Sequence, residues 1–360
     1  MNEITTVGVD LAKEVIAVQA ADRSGRIVFT RMFRRDTFAA WAVQLPACVF
    51  GLEACGAAHH WARWLTSHGH TPRLMAAEFV QPFRKSRAAK NDRNDAEAVL
   101  TAVRQPNMRF VAVKSVEQQA RLSWHRMRQG WIEERTALIN RLRGLLGEFG
   151  VWRARSAAVL TRALPALEHD EALPLMVRRL LGEGRQHLAR LDEAIAGCER
   201  EIKTHIKDNT AAAQLSAING LGPLTIAAVL ATVTDARDFK NGRAFAAWQG
   251  VVPRQHSSGG KARLGRITKH GDAYLRGLLT QGARSALQAA LNKPPETLTR
   301  LQRWMVQLYA RIGYHKTLVA IANKHARMIW AILAKGEAYD PDAWQRWSRT
   351  ATPASKAQAR

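Results

Sequence analysis

The chain is short of cysteine, of acidic residues and of long apolar runs. Three cysteines, Cys48, Cys55 and Cys198, are spread over 360 residues with no CxxC spacing. Their odd number and wide separation exclude a disulfide framework and a cysteine zinc site, leaving reduced thiols in the core or on the surface. No apolar run reaches the length of a spanning helix. The opening residues, MNEITTVGVD, lack the basic and apolar regions of a signal peptide, so a cytoplasmic protein without a membrane partner is expected. The acids are the informative shortage: 30 Asp+Glu stand against 54 Lys+Arg, for a net charge of +24 and a pI near 11.0. An excess of that size selects a polyanionic partner, nucleic acid before an anionic membrane. A hydrophobic content of 47% is that of a folded chain, and the length accommodates two or more domains.

Against so few acids, a close pair stands out. Asp92 and Asp95 lie in Lys90-Asn91-Asp92-Arg93-Asn94-Asp95-Ala96, at the mouth of a segment with helical apolar spacing (Ala96, Ala98, Val99, Leu100, Ala102, Val103). A separation of three places both carboxylates on one helical face, where they repel and call for a compensating cation. A hard ion such as Mg²⁺ takes oxygen ligands and keeps several waters. Capping is the other reading: Asn91 or Asp92 as the N-cap, with Asp95 favoured by the positive end of the helix dipole.

Upstream, TTVGVD (Thr5–Asp10), Val15–Ala21 and Arg26–Phe33 are short β-rich runs joined tightly, with Asp22-Arg23-Ser24-Gly25 as one turn. They predict an antiparallel meander. Thr37–Leu45 is helical in spacing, Ala47–Glu53 is a buried-strand run, His59–His68 is helical, and Arg73–Ala76 predicts a fifth strand. Three strands, helix, strand, helix, strand, helix is the order of the ribonuclease-H-like fold. That fold carries one carboxylate in its first strand, one at the end of its fourth and others on a late helix. Asp10, Glu53, Asp92 and Asp95 occupy those places. The glycines beside them, Gly8, Gly51 and Gly56, allow close approach of a backbone or ligand.

Val116–Phe149 predicts a long helix studded with Arg121, Arg126, Arg128, Arg135, Arg141 and Arg143, and Arg185–Lys207 predicts a second. An antiparallel pair or coiled coil with a solvated basic face accounts for both. Ile218-Asn219-Gly220-Leu221-Gly222-Pro223 then opens an apolar helix, Leu224–Val233. Gly220 and Gly222 sit where a hairpin presents backbone N–H groups to phosphate, as in helix-hairpin-helix modules, or where helices simply turn. The densest unusual stretch is WQGVVPRQHSSGGKARLGRITKHGDAYLR, from Trp248 to Arg276. It holds Arg254, His256, Ser257, Ser258, Lys261, Arg263, Arg266, Lys269 and Arg276. A glycine-rich loop with basic neighbours cradles phosphate, and a serine in it is a nucleophile once its proton is taken. A passive phosphate clamp and a plain surface loop have the same composition. Three apolar helical runs follow, Leu275–Leu291, Thr297–Ile312 and Lys316–Lys335, and the tail from Ala351 has the composition of a disordered segment.

Five short motifs in this order, GVDLAK, LEACG, KNDRNDAEA, LGPLTIAAV and GVVPRQHSSGGKARLGRITKHGDAYLR, resemble the DEDD transposases of the insertion sequence 110 family, most closely the 1111 subgroup with its HS[ST]GGK loop. The resemblance implies a RuvC-like α/β catalytic domain (1–112), a coiled-coil helical region (113–210), a mostly α transposase domain with a serine loop (211–340) and a tail (341–360). It implies Mg²⁺ held by Asp10, Glu53, Asp92 and Asp95, a serine that links covalently to DNA, donor and target DNA as substrates, a bridge RNA as guide, and a tetramer built as a dimer of dimers whose active sites combine the acids of one subunit with the serine of another. Ser257 is the preferred nucleophile and Ser258 the alternative. Arg254, His256, Lys261, Arg263, Arg266, Lys269, Arg276, Gly220 and Gly222 would contact nucleic acid.

Two other classes fit part of the pattern. A RuvC-type metal nuclease acting on branched DNA shares the acids but has no use for the serine loop. A non-catalytic nucleic-acid binder accounts for the charge but not for four acids at those positions. All three share one expectation. Binding to duplex DNA should weaken by about 10³- to 10⁵-fold between roughly 50 and 200 mM salt, as for a protein neutralising some six to ten phosphates. A flat salt response in a filter-binding titration would show that the excess charge has another use.

Overall fold

A computed structural model describes residues 3–84, 91–152, 156–257, 259 and 263–341. The chain divides into two compact units, Met1–Gln119 and Ala120–Arg360.

The first unit is mixed α/β. Its strands are β1 (Thr6–Leu11), β2 (Val15–Ala21), β3 (Ile27–Arg34), β4 (Val49–Glu53) and β5 (Thr71–Met75); its helices are α1 (Arg35–Val43), α2 (Ala58–Ser67), the single turn α3 (Ala77–Val80) and α4 (Asp92–Val103). The five strands form one sheet in the order β3-β2-β1-β4-β5. β1, β2 and β3 pair antiparallel, as the tight turns require, and β1-β4 and β4-β5 pair parallel through helical crossovers. This mixed sheet is consistent with the expected ribonuclease-H-like order.

Alternation along the strands explains both faces. Val7, Val9, Ile16, Val18, Phe50 and Leu52 share one buried cluster with Phe38 of α1 and with Trp61 and Leu65 of α2. The opposite face is nearly bare at the centre, because Gly8 and Gly51 lie there, side by side in register. α4 fills that space. A Cβ on Gly8 would stand 2.5 Å from both the Ala96 carbonyl oxygen and the Leu100 nitrogen, and a Cβ on Gly51 would stand 2.8 Å from the Val103 Cβ. The helix thus rests directly on strand backbone. Its small apolar residues Ala98, Val99, Ala102 and Val103 form a second cluster with Met75 and Val80.

In the second unit α5 (Val116–Glu148) and α7 (Leu175–Thr204) are the two long helices, 33 and 30 residues. They run antiparallel. Arg128 pairs with Glu199 and Arg135 with Asp192, and Leu142 packs where Gly184 leaves no side chain. α7 begins ten residues before the expected Arg185; burial of Leu181 and the packing of Leu142 against Gly184 outweigh the helix-weakening Gly182 and Gly184. A short helix that the sequence reading left out, α6 (Ala157–Leu167), packs on this pair through Leu160 and Leu164 and takes Pro165 inside its last turn.

The remaining elements are α8 (Thr210–Ser216), α9 (Pro223–Thr232), α10 (Gly242–Trp248), the strands β6 (Pro253–Gln255) and β7 (Leu264–Ile267), α11 (Ala273–Leu291), α12 (Arg300–Ile312) and α13 (Tyr314–Lys335). Leu215, Ile226, Phe245, Leu275, Met305 and Ile321 centre their shared core. The three C-terminal helices fall where expected. The tail from Ala351 lies outside the described residues.

Gly8→Val should force α4 off the sheet, because the clash is with helix backbone, which cannot rotate away. A loss of about 1–3 kcal/mol or more is expected in urea unfolding. Gly56→Ala should be near neutral, since no atom lies within 4 Å of its Cβ position. Equal effects of the two changes would refute this account of the helix–sheet contact.

Candidate active site

The acids assemble through the sheet. Asp10 is the next same-face residue after Gly8 on β1, and Glu53 the next after Gly51 on β4. Because Val9 pairs with Leu52 in parallel register, the two acids emerge at neighbouring strand ends. The helix admitted by those glycines brings Asp92 and Asp95 in its first turn. Gln19 Nε2 on β2 donates 3.0 Å to the Arg93 carbonyl, fixing where that turn begins. The N-cap is Asn91, whose side chain accepts from the Asn94 N–H at 2.8 Å. Neither aspartate is therefore occupied in capping the helix.

Their electrostatics record the convergence. Asp10 is pushed up from its ordinary 3.8 to about 6, first by burial and then by the charges of Asp95, Glu53 and Asp92 in that order, with Arg84 opposing. Asp95 is 6% exposed, whereas Asp92 is open to solvent. Arg84 reaches two of the acids, with Nη2 3.4 Å from Glu53 Oε1 and Nε 2.9 Å from Asp95 Oδ1. The donor set is all oxygen and suits a hard divalent ion in kind. Among the described residues, no three carboxylate, imidazole or thiol side chains are grouped as a ready metal cage. Arg84 was the residue the sequence reading passed over. It stands at the head of a basic stretch, and only the fold shows it turned toward the acids.

The serine stretch is a two-stranded ribbon, not the plain loop its composition allows. β6 and β7 pair antiparallel, and the His256 N–H donates 2.8 Å to the Arg263 carbonyl, carrying the ladder one step toward the tip. The base is pinned by glycines. Gly250 and Gly271 both have positive φ, and a Cβ on either would stand 2.2 Å or less from a carbonyl oxygen, of His270 and Trp248 respectively. Arg254 Nη2 donates to the Thr268 carbonyl at 3.1 Å and Arg276 Nη1 to the His270 carbonyl at 2.9 Å. Lys269, next to that carbonyl, is a non-glycine residue at φ 58°. Ser257 is exposed at the far end, and its Oγ accepts from Gln255 Nε2 at 2.8 Å. His256, Arg263 and Arg266 are exposed beside it. Ser258 and Lys261 lie outside the described residues.

Gly220 and Gly222 separate in role. Gly220 has φ +97° and touches Gly282 of α11, each glycine's Cβ position lying 2.3 Å or less from the other's carbonyl oxygen. Gly222 has open space beside it and precedes α9. Both border an open groove of about 920 Å³, also lined by Arg128, Lys203, Tyr274 and Gln281. Tyr274 Oη lies 2.9 Å from His125 Nδ1, and burial holds that imidazole down at about 4, so it is neutral. Cys48 and Cys198 are buried and Cys55 exposed, all as free thiols.

One unit carries acids at two strand ends and on one helix, the other a basic serine ribbon, and comparison with known proteins gives the chain its class and family. Residues 7–150 match a transposase family model of the DEDD, IS110 type, and residues 212–298 match the transposase family IS116/IS110/IS902. A probable family 20 transposase of Pseudomonas aeruginosa is 44% identical over 94% of this chain and 99% of its own length. The transposase for insertion sequence element IS1111A of Coxiella burnetii is 39% identical over 94% and 92%. That for IS1328 of Yersinia enterocolitica is 34% identical over 94% and 99%. The chain belongs to the IS110 family of insertion sequence transposases. No helix among the described residues is long and apolar enough to cross a membrane.

Asp10 binds its proton more tightly folded than unfolded, so its ionisation costs stability at neutral pH and the cost fades as pH falls through about 6 toward 3.8. Asp10→Asn should therefore melt higher than the parent in EDTA near pH 7.5, with the gap closing by roughly pH 4. No gain at the higher pH would show that the acids are not crowded.

Proposed function

We propose that this transposase cuts and rejoins DNA with two chemical centres, a Mg²⁺-binding set formed by Asp10, Glu53, Asp92 and Asp95 on a RuvC-like scaffold, and a serine at the tip of the β6–β7 ribbon that links covalently to DNA. The observation carrying this reading is the mutual crowding of four acids from three elements in a chain of net charge +24. A protein so poor in acid has no structural reason to spend four of them against one another. When bound, the divalent ion supplies charge neutralisation and polarisation at a phosphate oxygen.

The chain's own residues do the rest. In the covalent step a bond forms between Ser257 Oγ and phosphorus while the bond from phosphorus to a deoxyribose oxygen breaks. The hydroxyl proton leaves to a base and the departing sugar oxygen takes one up. Gln255 donates to Ser257 Oγ, which occupies a lone pair of the hydroxyl and leaves its hydrogen available to a base. Arg263 and Arg266 face solvent beside the serine, placed to balance charge building on the phosphate. Arg254 and Arg276 are engaged with backbone carbonyls at the ribbon's base; their first contribution is to hold it, and the exposed Lys269 adds to the positive surface. Gly222, with open space before α9, is the better of the two hairpin glycines for phosphate contact.

The family resemblance extends the proposal to a bridge RNA that reads donor and target DNA by base pairing, to a cytoplasmic tetramer built as a dimer of dimers, and to a division into regions 1–112, 113–210 and 211–340.

The test uses the full chain with the RNA that copurifies with it and a nicked DNA substrate. A denaturant-resistant protein–DNA adduct should form, vanish in Ser257→Ala and persist, weakened, in Ser258→Ala. The reverse pattern would move the nucleophile by one residue. Cleavage without an adduct in the parent protein would make water the nucleophile and the enzyme a RuvC-type nuclease. Asp92→Asn should keep nucleic-acid binding and lose strand cleavage by more than the roughly 100-fold typical of losing an outer-shell partner of a metal.

A further inference from the structure

Arg128, Arg135, Arg185 and Arg237 each grip a single carboxylate through Nε and Nη2. Arg185 sets Nε and Nη2 on the two oxygens of Glu168, and Arg128 sets the same two nitrogens on Glu199 at 2.9 and 2.6 Å. That is the arrangement planar geometry favours. Arg84 departs from it. It divides itself between Glu53 and Asp95, giving one nitrogen to each, at 3.4 and 2.9 Å. Its Nε, although the closer of the two contacts, is not aligned to hydrogen-bond. The three side chains are 30%, 18% and 8% exposed, so solvent screens the contact little. A group with this placement neutralises charge between two acids while making one long hydrogen bond, to Glu53, and none to Asp95 from its Nε.

We propose that Arg84 is the resident counter-ion of the acid set, holding Glu53 and Asp95 together while no divalent cation is bound and yielding them when one arrives. The inference rests on reading those carboxylates as a cation centre. Oxygens turned to the guanidinium are not free to coordinate an ion, which agrees with the absence of a ready cage among the described residues. The cation and Arg84 therefore compete for the same acids, and by reciprocity each weakens the hold of the other. This predicts a direction that a merely structural role would not. If Arg84 only positioned the acids, removing it would disorder them and weaken cation binding. As a competitor, its removal strengthens binding, because two crowded acids lose one positive charge that they share and the ion takes its place.

The experiment is calorimetric titration of the full chain with Mg²⁺ alone, without nucleic acid, with melting curves in EDTA beside it. Arg84→Gln should bind Mg²⁺ roughly tenfold more tightly, within the usual range of coupling between sites, and melt lower in EDTA. Arg84→Lys keeps the charge but not the span across two carboxylates, and its affinity should fall between. Arg93→Gln removes an exposed positive charge from the same turn as Asp92 and should change little. Unchanged or weaker binding by Arg84→Gln overturns the proposal, as does an equal gain in Arg93→Gln, which would make the effect one of general field. If Arg84→Gln melts too low to titrate, an Arg84→Lys affinity no higher than the parent's overturns it instead. Asp95→Asn separates the two readings. If the parent binds no Mg²⁺ that Asp95→Asn removes, the cation centre itself fails and the counter-ion with it; if it does and Arg84→Gln binds no tighter, only the counter-ion fails.

Discussion

The contact between α4 and the bare backbone of β1 at Gly8 is the constraint on which the first unit depends. A side chain on the strand there would meet a helix carbonyl and a helix nitrogen at 2.5 Å, and neither can swing aside. The same closeness sets the site. Helix and strand approach nearer than packed side chains ordinarily allow, so carboxylates from a helix turn and from two strand ends come near enough to repel at Asp10. The repeated pattern of glycine, apolar residue, acid in Gly8-Val9-Asp10 and Gly51-Leu52-Glu53 is this geometry written along the chain. The glycine admits the helix, the apolar residue anchors the opposite face, and the acid two residues past the glycine returns to the helix side.

The cost of bringing acids together is visible in the same place. Asp10 holds its proton to about pH 6, and a guanidinium lies between Glu53 and Asp95. The two observations describe one imbalance: negative charge concentrated in a partly buried volume, compensated by proton affinity at one residue and by an arginine at the others. Elsewhere the chain has the opposite problem, with positive charge far in excess. Exposed arginines such as Arg263 and Arg266 have no need of internal partners if a polyanion covers them.

Much of this was legible in the sequence, for reasons that differ by element. The meander, the two parallel strands and the long helices follow from periodicity and tight turns, and Asp10, Glu53, Asp92 and Asp95 could be picked out because acids are scarce here. The N-cap was half legible: Asn91 and Asp92 have equal claims as residue types, and only the placement of α4 gives the role to Asn91. Arg84 was not legible, since nothing in composition marks which arginine of a basic stretch turns inward. The ribbon of β6 and β7 was hidden because its strands are three and four residues long and mostly exposed, without the apolar alternation that reveals a strand. α6 was hidden by Pro165, a residue that argues against a helix interior except near an end.

Glycine carries two opposite duties in this protein, and the distinction bears on how the second stretch should be understood. Gly8, Gly220, Gly250, Gly271 and Gly282 are all sites where a Cβ would collide with backbone; they fix structure by allowing contact. Gly56, Gly222 and Gly259 have nothing near them. At the serine ribbon both kinds occur within one short stretch. Gly250 and Gly271 lock its base against the start of α11, while Gly259, with φ +56°, meets no neighbour among the described residues. On the proposed mechanism, a serine approaching a charged backbone phosphate would gain from a base held in this way. On the proposed covalent mechanism, the base would keep Ser257 in a defined place relative to the core of its unit. Composition alone cannot distinguish such a ribbon from a plain loop, because both are rich in glycine and arginine. What the described residues show is that Gly250 and Gly271, whose Cβ positions meet carbonyl oxygens, pin the base of the ribbon.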